Sequence, residues 1–177
     1  MKRILIIGNC SAGKTTLSLK LQSILGLDAI HLDQHYWKPY WTEPDKQEWT
    51  KTVSELVEKE SWIMDGNYSS TMNMRIAKAD TIIYLNFPTI VCLSRVIKRI
   101  VSNWGKVRYE MPEGCTERLD LKFLHYVAMY KITRSKNILE KLKHLDPEKK
   151  LMVFNNDKEV AEYLINFCNS FLFESGV

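Results

Sequence analysis

The fold is decided by the stretch Gly8-Asn9-Cys10-Ser11-Ala12-Gly13-Lys14-Thr15. This stretch matches the pattern G-x-x-x-x-G-K-[ST] at every fixed position, which is the pattern of a loop that cradles phosphate groups. A short run of aliphatic residues precedes it, as expected for a buried strand, and a leucine-rich segment with helical spacing follows. The backbone amides of such a loop, at the N-terminus of a helix, form a nest for anions. The sequence therefore predicts a nucleotide-binding P-loop.

Each residue type in this loop has a chemical reason. Glycines permit backbone angles and close approaches that a Cβ atom would prevent. A lysine at position 14 reaches the β- and γ-phosphates, and the hydroxyl of Thr15 is a ligand for Mg²⁺. We therefore predict that the nucleotide is bound by Gly8, Asn9, Cys10, Ser11, Ala12, Gly13, Lys14, Thr15 and Thr16.

Strands and helices alternate along the rest of the chain. The apolar runs predict strands at residues 2–7, 29–32, 62–64, 81–85 and 151–154. The spacing between them predicts helices at about 44–60, 70–78 and 88–101, a helical stretch at 117–144 that is either one helix or two, and a terminal helix that Asn156 and Glu159 cap. This order is typical of an α/β domain with a parallel sheet, and we expect one domain over residues 1–177.

Two carboxylates follow neighbouring strands. Asp65 ends the third strand, where an acidic residue orients the water shell of a metal ion, although Asp-Gly is also a common turn. Asp33 follows the second strand and is a candidate base for an acceptor hydroxyl, a second-shell metal ligand or a helix cap. Because ligands bind beyond the carboxyl ends of parallel strands, we expect both carboxylates to face the phosphate site.

The segment from His31 to Trp41 leaves two questions open. His31, Asp33 and His35 would share one face of an extended strand and could then hold a metal ion, although the apolar run ends at Leu32. Tyr and Trp side chains crowd the residues that follow. They either stack on a flat substrate or cover the edge of the core.

Composition narrows the function classes. The chain has 177 residues, 45% of them hydrophobic and 26% charged, and its net charge is +4. Its four cysteines form no C-x-x-C pair, which predicts neither a zinc site nor a disulfide scaffold and favours a reducing cytoplasm. No apolar run has the length of a membrane span.

The charge is unevenly distributed. Residues 91–144 contain twelve Lys and Arg against five Asp and Glu, a net charge of +7, and the remainder of the chain is net −3. A local basic segment favours a phosphate site over a surface that coats DNA. Phosphoryl transfer needs mobile positive charge at the γ-phosphoryl group, and a lid at about 102–118 would supply it. The candidate arginines are Arg95, Arg99, Arg108 and Arg118.

The whole chain resembles the adenylate-kinase-like group of small P-loop kinases. It is most similar to the bacterial DNA topology modulation (FlaR-like) proteins. The segments that carry this resemblance are the P-loop, His31–Pro39, Trp62–Tyr68, Ala79–Pro88, Glu113–Cys115 and Glu117-Arg118. The resemblance implies a five-stranded parallel sheet of order 2-3-1-4-5, a mobile lid and ATP as phosphoryl donor. Adenine would lie near Asn155-Asn156-Asp157.

The chain also departs from the adenylate kinases. They carry Asp-Gly-Phe-Pro-Arg after the third strand, whereas Ser69 stands here in place of the arginine and Arg75 is the nearest substitute. The stretch from His31 to Trp37 resembles instead kinases whose acceptor is a hydroxyl group.

We therefore expect a kinase that uses ATP and Mg²⁺ to phosphorylate an unidentified small molecule, with Lys14, Asp33, Arg99 and Arg108 as catalytic residues. The metal would be held through Thr15 and Asp65. The acceptor would be bound by Asp33, Tyr36, Asp65, Asn67 and Arg75. The alternative is a DNA-binding, topology-modulating protein whose nucleotide binding is regulatory, although the sequence carries no helix-turn-helix signature.

Overall fold

A computed structural model describes residues 1–109 and 111–175, with side chains up to residue 169. Glu110, inside the predicted lid, and residues 176 and 177 lie outside the described residues. Five parallel strands form one sheet in the order β2-β3-β1-β4-β5, which confirms the predicted order. The strands are β1 (Arg3–Gly8), β2 (Ala29–His31), β3 (Trp62–Asp65), β4 (Thr81–Leu85) and β5 (Lys150–Phe154).

Helices cover both faces of the sheet. They are α1 (Lys14–Leu25), α2 (Leu32–Tyr36), α3 (Lys46–Val57), α4 (Met72–Lys78), α5 (Thr89–Asn103), α6 (Leu121–Tyr130), α7 (Lys136–Lys143) and α8 (Asp157–Ser175). A π-helical turn, Lys131–Ser135, joins α6 to α7. In the two described ranges, no helix combines the length and the apolar character that a membrane crossing requires.

The central strand shows why the sheet is buried on both sides. Leu5 and Ile7 of β1 pack into one apolar cluster, with residues of α3 and α4. Ile4 and Ile6 point the other way, into a second cluster with residues of α1 and α5. All four are fully buried, and this explains the unbroken aliphatic run in the sequence.

Several predicted boundaries shift by a few residues. The second strand ends at His31, and Leu32 already begins α2, so His31 and Asp33 do not share a strand face. Helix α3 begins at Lys46 because Asp45 accepts hydrogen bonds from the amides of Gln47 and Glu48. The predicted helix at 117–144 starts only at Leu121.

The sheet sets the position of the candidate site. The register pairs Ile6 of β1 with Asp65 of β3, and His31 of β2 with the same Asp65. The P-loop, α2 and the loop after β3 consequently leave the sheet side by side at the carboxyl ends of their strands.

Candidate active site

The loop between β1 and α1 has the backbone of an anion nest. Gly8 has a φ of +151°, and a Cβ atom there would lie 2.6 Å from the carbonyl oxygen of Leu85. Ser11 and Gly13 are in the left-handed region, with φ values of +57° and +96°. When left-handed and right-handed residues alternate in a loop, successive amide groups point toward one position, and here α1 begins directly after the loop. The loop is therefore built to hold phosphate oxygens.

Lys14 is held at this loop by backbone carbonyl groups. Its Nζ atom donates to the oxygens of Gly8, at 3.1 Å, and Asn9, at 3.0 Å. The ammonium group is partly exposed and lines a cavity of about 1340 Å³. A negatively charged ligand in this cavity would be within reach of a side chain that is already oriented.

Two asparagines attach the P-loop to the rest of the molecule. Asn9 is buried, and its Nδ2 atom donates to the carbonyl oxygen of Val127 in α6 at 3.0 Å. Asn67 brackets Gly8, because its Oδ1 atom accepts from the Gly8 amide at 3.1 Å and its Nδ2 atom donates to the Gly8 oxygen at 2.7 Å. Asn67 thus holds the start of the P-loop and also lines the cavity.

The cavity brings together most of the residues that the sequence suggested. Its walls are the P-loop, α2, the loop after β3, the inner face of α5, the lid and α6. The predicted site residues that line it are Cys10, Ser11, Ala12, Gly13, Lys14, Thr15, Thr16, Asp33, Tyr36, Asp65, Asn67, Arg99 and Arg108. The structure places Gly8, Asn9 and Arg75 behind this lining.

Asp65 is buried at the end of β3 and has two side-chain partners. Its Oδ2 atom accepts from the hydroxyl of Ser18 at 2.9 Å and lies 2.5 Å from Nδ1 of His31. His31 is therefore paired with this carboxylate. In the described part of the chain no three His, Cys, Asp or Glu side chains cluster as a metal site would need, so the His31, Asp33 and His35 alternative does not form.

Asp33 lies in the first turn of α2 and is oriented by a tyrosine. The hydroxyl of Tyr68 donates to Oδ1 of Asp33 at 2.6 Å. Burial, and then the neighbouring Asp33 charge, raise the pKa of Tyr68, so its hydroxyl keeps its proton at neutral pH. A fixed donor on one carboxylate oxygen leaves Asp33 in a defined orientation at the cavity wall.

Arg75 differs from its expected role. Its guanidinium group is fully buried and donates to the carbonyl oxygens of Gly66, Asn67 and Tyr68 at 2.7–2.8 Å. Burial lowers its pKa to about 9, so it is charged at neutral pH. In this position it braces the loop after β3 and does not face the cavity, which is why it does not replace the arginine of adenylate kinases.

An arginine of α5 and an arginine of the lid converge on one carboxylate to which the sequence analysis assigned no role. Glu117 is only 5% exposed. Its Oε1 atom lies 3.1 Å from Nη2 of Arg99, and its Oε2 atom lies 2.8 Å from Nε of Arg108. Arg99 also donates to the hydroxyl of Ser11 in the P-loop at 3.3 Å. The two predicted catalytic arginines therefore meet beside the P-loop.

The aromatic segment packs partly against the core, through Tyr36, and its role in stacking on a substrate stays a prediction. Tyr36, Trp37 and Trp41 line the cavity. Trp41 also contacts the lid, donating from its backbone amide to Sγ of Cys115 and from its indole to the oxygen of Thr116, both at 3.3 Å. The segment is thus a cavity wall and a support for the lid.

The residues present fit a nucleoside triphosphate with Mg²⁺. The P-loop lines one part of the cavity from Cys10 to Thr16, with Ser11 and Gly13 in the left-handed region, as a cradle for phosphate oxygens requires. Thr15 and Asp65 both line the cavity and lie near each other, because the hydroxyl of Ser18 contacts the Thr15 carbonyl oxygen and the Asp65 carboxylate. Hydroxyl and carboxylate oxygens are donors that Mg²⁺ prefers. Both contacts of Asp65 use Oδ2, so Oδ1 would be the atom to orient the metal's water shell.

The sequence analysis did not predict the pairing roles of His31, Tyr68 and Glu117, because these roles depend on contacts between distant segments. The pairs His31–Asp65 and Tyr68–Asp33 are separated by 34 and 35 residues. A sequence signal existed only for Glu117, which directly precedes Arg118 in the basic segment.

Comparison with known proteins adds information on the fold. No family model matches the chain, and no curated protein matches it. Among solved structures, a shikimate kinase from Acinetobacter baumannii in complex with shikimate is 17% identical with a TM-score of 0.58, covering 96% of this chain and 94% of that one. An unliganded sugar kinase from Janibacter sp. HTCC2649 is 15% identical with a TM-score of 0.51, covering 97% and 94%. The chain has the α/β fold of P-loop NTPases, in the form that these kinases share.

Proposed function

We propose that the protein is an ATP- and Mg²⁺-dependent kinase that phosphorylates a hydroxyl group of a small molecule. One observation carries the proposal: the P-loop with Lys14 and the oriented carboxylate of Asp33 open into the same cavity. A phosphate-binding loop alone would suit any P-loop protein. A carboxylate that Tyr68 orients beside it is what transfer to a hydroxyl group needs.

In this proposal each group of residues has its own role in phosphoryl transfer. ATP with Mg²⁺ would supply the phosphoryl group and the positive charge of the metal. The P-loop amides and Lys14 would bind the β- and γ-phosphates, while Thr15 and Asp65 would hold the metal and its water shell. Arg99 and Arg108 would offset the charge on the γ-phosphoryl group, and the lid would exclude water.

Asp33 would handle the acceptor's proton. The acceptor's oxygen forms a bond to the γ-phosphorus as the bond from that phosphorus to the bridging oxygen of ADP breaks. The acceptor's proton passes to the Asp33 carboxylate. Because a hydroxyl group keeps its proton at neutral pH, this base is required for an alcohol and not for an ionised phosphate.

The arrangement of the basic residues supports the kinase over the DNA-binding alternative. Arg95, Arg99 and Arg108 belong to the segment with the net charge of +7, yet all three line the cavity and pair with carboxylates. Similarity to the topology modulation proteins suggests an effect on DNA, and we propose that any such effect is indirect. The proposed location is the cytoplasm, where the four unpaired cysteines would stay reduced.

A screen for ADP formation tests this function. Purified protein with ATP and Mg²⁺ is given nucleosides, nucleotides and small alcohols one at a time. We expect at least one alcohol to stimulate ADP formation in the absence of DNA, and Lys14→Ala to abolish the stimulation. Stimulation by DNA alone, with no response to any alcohol, would favour the alternative.

A further inference from the structure

The cavity wall beside Ser69, in the segment after β3, contains an arginine that forms no ion pair with a described carboxylate. Five arginines of the described residues line the cavity: Arg95, Arg99 and Arg108 each pair with a carboxylate, and Arg118 lies over the ring of Trp41 in the lid region. Within the described ranges, Arg134 forms no ion pair with any carboxylate. Its guanidinium group instead lies 5.9 Å from the ring centre of Tyr126 and donates to the hydroxyl of Ser69 at 3.3 Å. This leaves a positive charge at the cavity wall for a ligand.

A π-helical turn places Arg134 at the cavity wall. This turn lies between α6 and α7, and such turns occur frequently at functional sites because they redirect side chains. The turn is anchored from inside, since Ser135 is buried and its hydroxyl lies 2.6 Å from that of Tyr84 in β4. Asn137, one turn further along the helix, lines the cavity too.

A short chain of contacts connects Arg134 to the proposed base. Ser69, which Arg134 contacts, follows Tyr68 in the chain, and Tyr68 donates to Asp33. Tyr126 lines the same cavity as Arg134 and Asp33, and the guanidinium group of Arg134 lies 5.9 Å from its ring centre. Asp33 and Arg134 therefore face one compartment, with Tyr126 in its wall.

We propose that the acceptor is an anionic alcohol, whose carboxylate or phosphate group binds Arg134 while its hydroxyl group lies at Asp33. This inference rests on the proposed kinase function and narrows its substrate class. Guanidinium groups bind both kinds of anion through paired hydrogen bonds. The aromatic rings of Tyr36, Tyr68 and Tyr126 would contact the carbon skeleton between the two ends.

Matched pairs of acceptors test the proposal. Each hydroxy acid is compared with its methyl ester, and each phosphorylated alcohol with the free alcohol, by acceptor-dependent ADP formation. We expect the anionic member of at least one pair to be the better acceptor, and the type of pair identifies the anion as carboxylate or phosphate. A preference for the neutral members throughout would overturn the inference while leaving the kinase function intact.

Substitution of Arg134 tests the residue itself. Arg134→Gln should raise the KM for the anionic acceptor by about 10- to 100-fold, as expected for losing a charge-assisted hydrogen bond, with the KM for ATP unchanged. Arg134→Lys should restore part of the loss. The control Lys136→Gln removes the same charge from an exposed position outside the cavity and should have no effect. Equal KM values in Arg134→Gln and wild type would contradict the proposal.

A binding measurement separates the two proposals if no alcohol supports ADP formation. The same panel is titrated calorimetrically into protein saturated with a non-hydrolysable ATP analogue, so that the P-loop is filled. Binding of the anionic members that Arg134→Gln abolishes would support the anion site although the kinase function had failed. Binding that does not depend on Arg134, or no binding of any anion, would overturn it.

Discussion

Lys14 is the residue that depends most directly on a ligand. Its Nζ atom donates to the carbonyl oxygens of Gly8 and Asn9, and the side chain lines the cavity. Lys14→Ala should lower turnover by several orders of magnitude with a nearly unchanged melting temperature, because the side chain serves the ligand. Steady-state kinetics and thermal unfolding measure both, with Lys51→Ala, on the exposed side of α3, as control.

Arg75 should behave in the opposite way. Replacing it with Met leaves three carbonyl oxygens, one buried and two partly buried, without their donor, at a cost of about 1–3 kcal/mol for each fully buried unsatisfied group. We expect Arg75→Met to lower the free energy of unfolding in urea by about 3 kcal/mol or more. An unchanged stability together with a raised KM for the acceptor would show that Arg75 binds substrate after all.

At the level of single residues, sequence patterns predicted many of the side chains that line the cavity and not those that hold them in place. The P-loop has a fixed spacing because phosphate geometry dictates it, so its residues could be identified directly. Asp33 and Asp65 could be located because each follows a strand. Their partners Tyr68 and His31 come from other segments, and no local pattern encodes such a pairing.

The conformation of the lid depends on the backbone and side-chain contacts of Glu117. Its backbone joins the two sides of the lid, because the Gly105 amide donates to the Glu117 oxygen and the Glu117 amide to the Lys106 oxygen. Its carboxylate gathers Arg99 and Arg108, whose like charges would otherwise repel each other. The carboxylate is thus the group that allows two guanidinium groups to stay side by side.

Glu117→Gln removes this charge and keeps the shape of the side chain. We expect amide hydrogen exchange in residues 104–109 and 111–118 to become about tenfold faster or more, as loss of charge-assisted hydrogen bonds implies. The value of kcat should fall more than the affinity for ATP. Glu113→Gln, an exposed lid carboxylate, is the matched control, and equal exchange in both variants would refute the role of Glu117.

Ligands should act on the same element. The lid carries two glycines, a proline and several charges, and we expect its amide exchange to slow when a bisubstrate analogue binds. Residues of β1 report on global unfolding in the same experiment and serve as reference. Lid exchange that is identical with and without the analogue would count against closure over the substrates.

Element types were easier to predict than their ends. The inner strands were recognisable because both of their faces are buried, which leaves continuous apolar runs such as Ile4–Ile7. The edge strand β5 is partly exposed and was recognisable by its apolar residues alone. The early end of β2, at His31, could not be predicted, because an apolar residue such as Leu32 is found in buried strands and in helices alike. The π-helical turn was also invisible, because an inserted residue in a helix changes the spacing without a characteristic residue type.

For the whole molecule, charge distinguishes the two functions. A DNA-binding protein would lose affinity steeply with salt, because phosphate contacts release counterions. We expect only weak DNA binding at moderate salt, since three arginines of the basic segment are engaged inside the cavity. Acceptor-dependent ADP formation should be the same with and without DNA. Filter binding over a series of salt concentrations measures the affinity for DNA.

Asp33 provides the most direct test of the central claim, that the protein transfers a phosphoryl group to a hydroxyl group. Asp33→Asn keeps the size of the side chain and an oxygen to accept from Tyr68, but removes the base. The measurement is kcat with the best alcohol acceptor, alongside the dissociation constant for ATP, with the exposed Asp28→Asn as control. A fall in kcat of about two to four orders of magnitude with unchanged ATP affinity is the predicted result. Near-normal turnover by Asp33→Asn would contradict the account and indicate an acceptor that is already ionised.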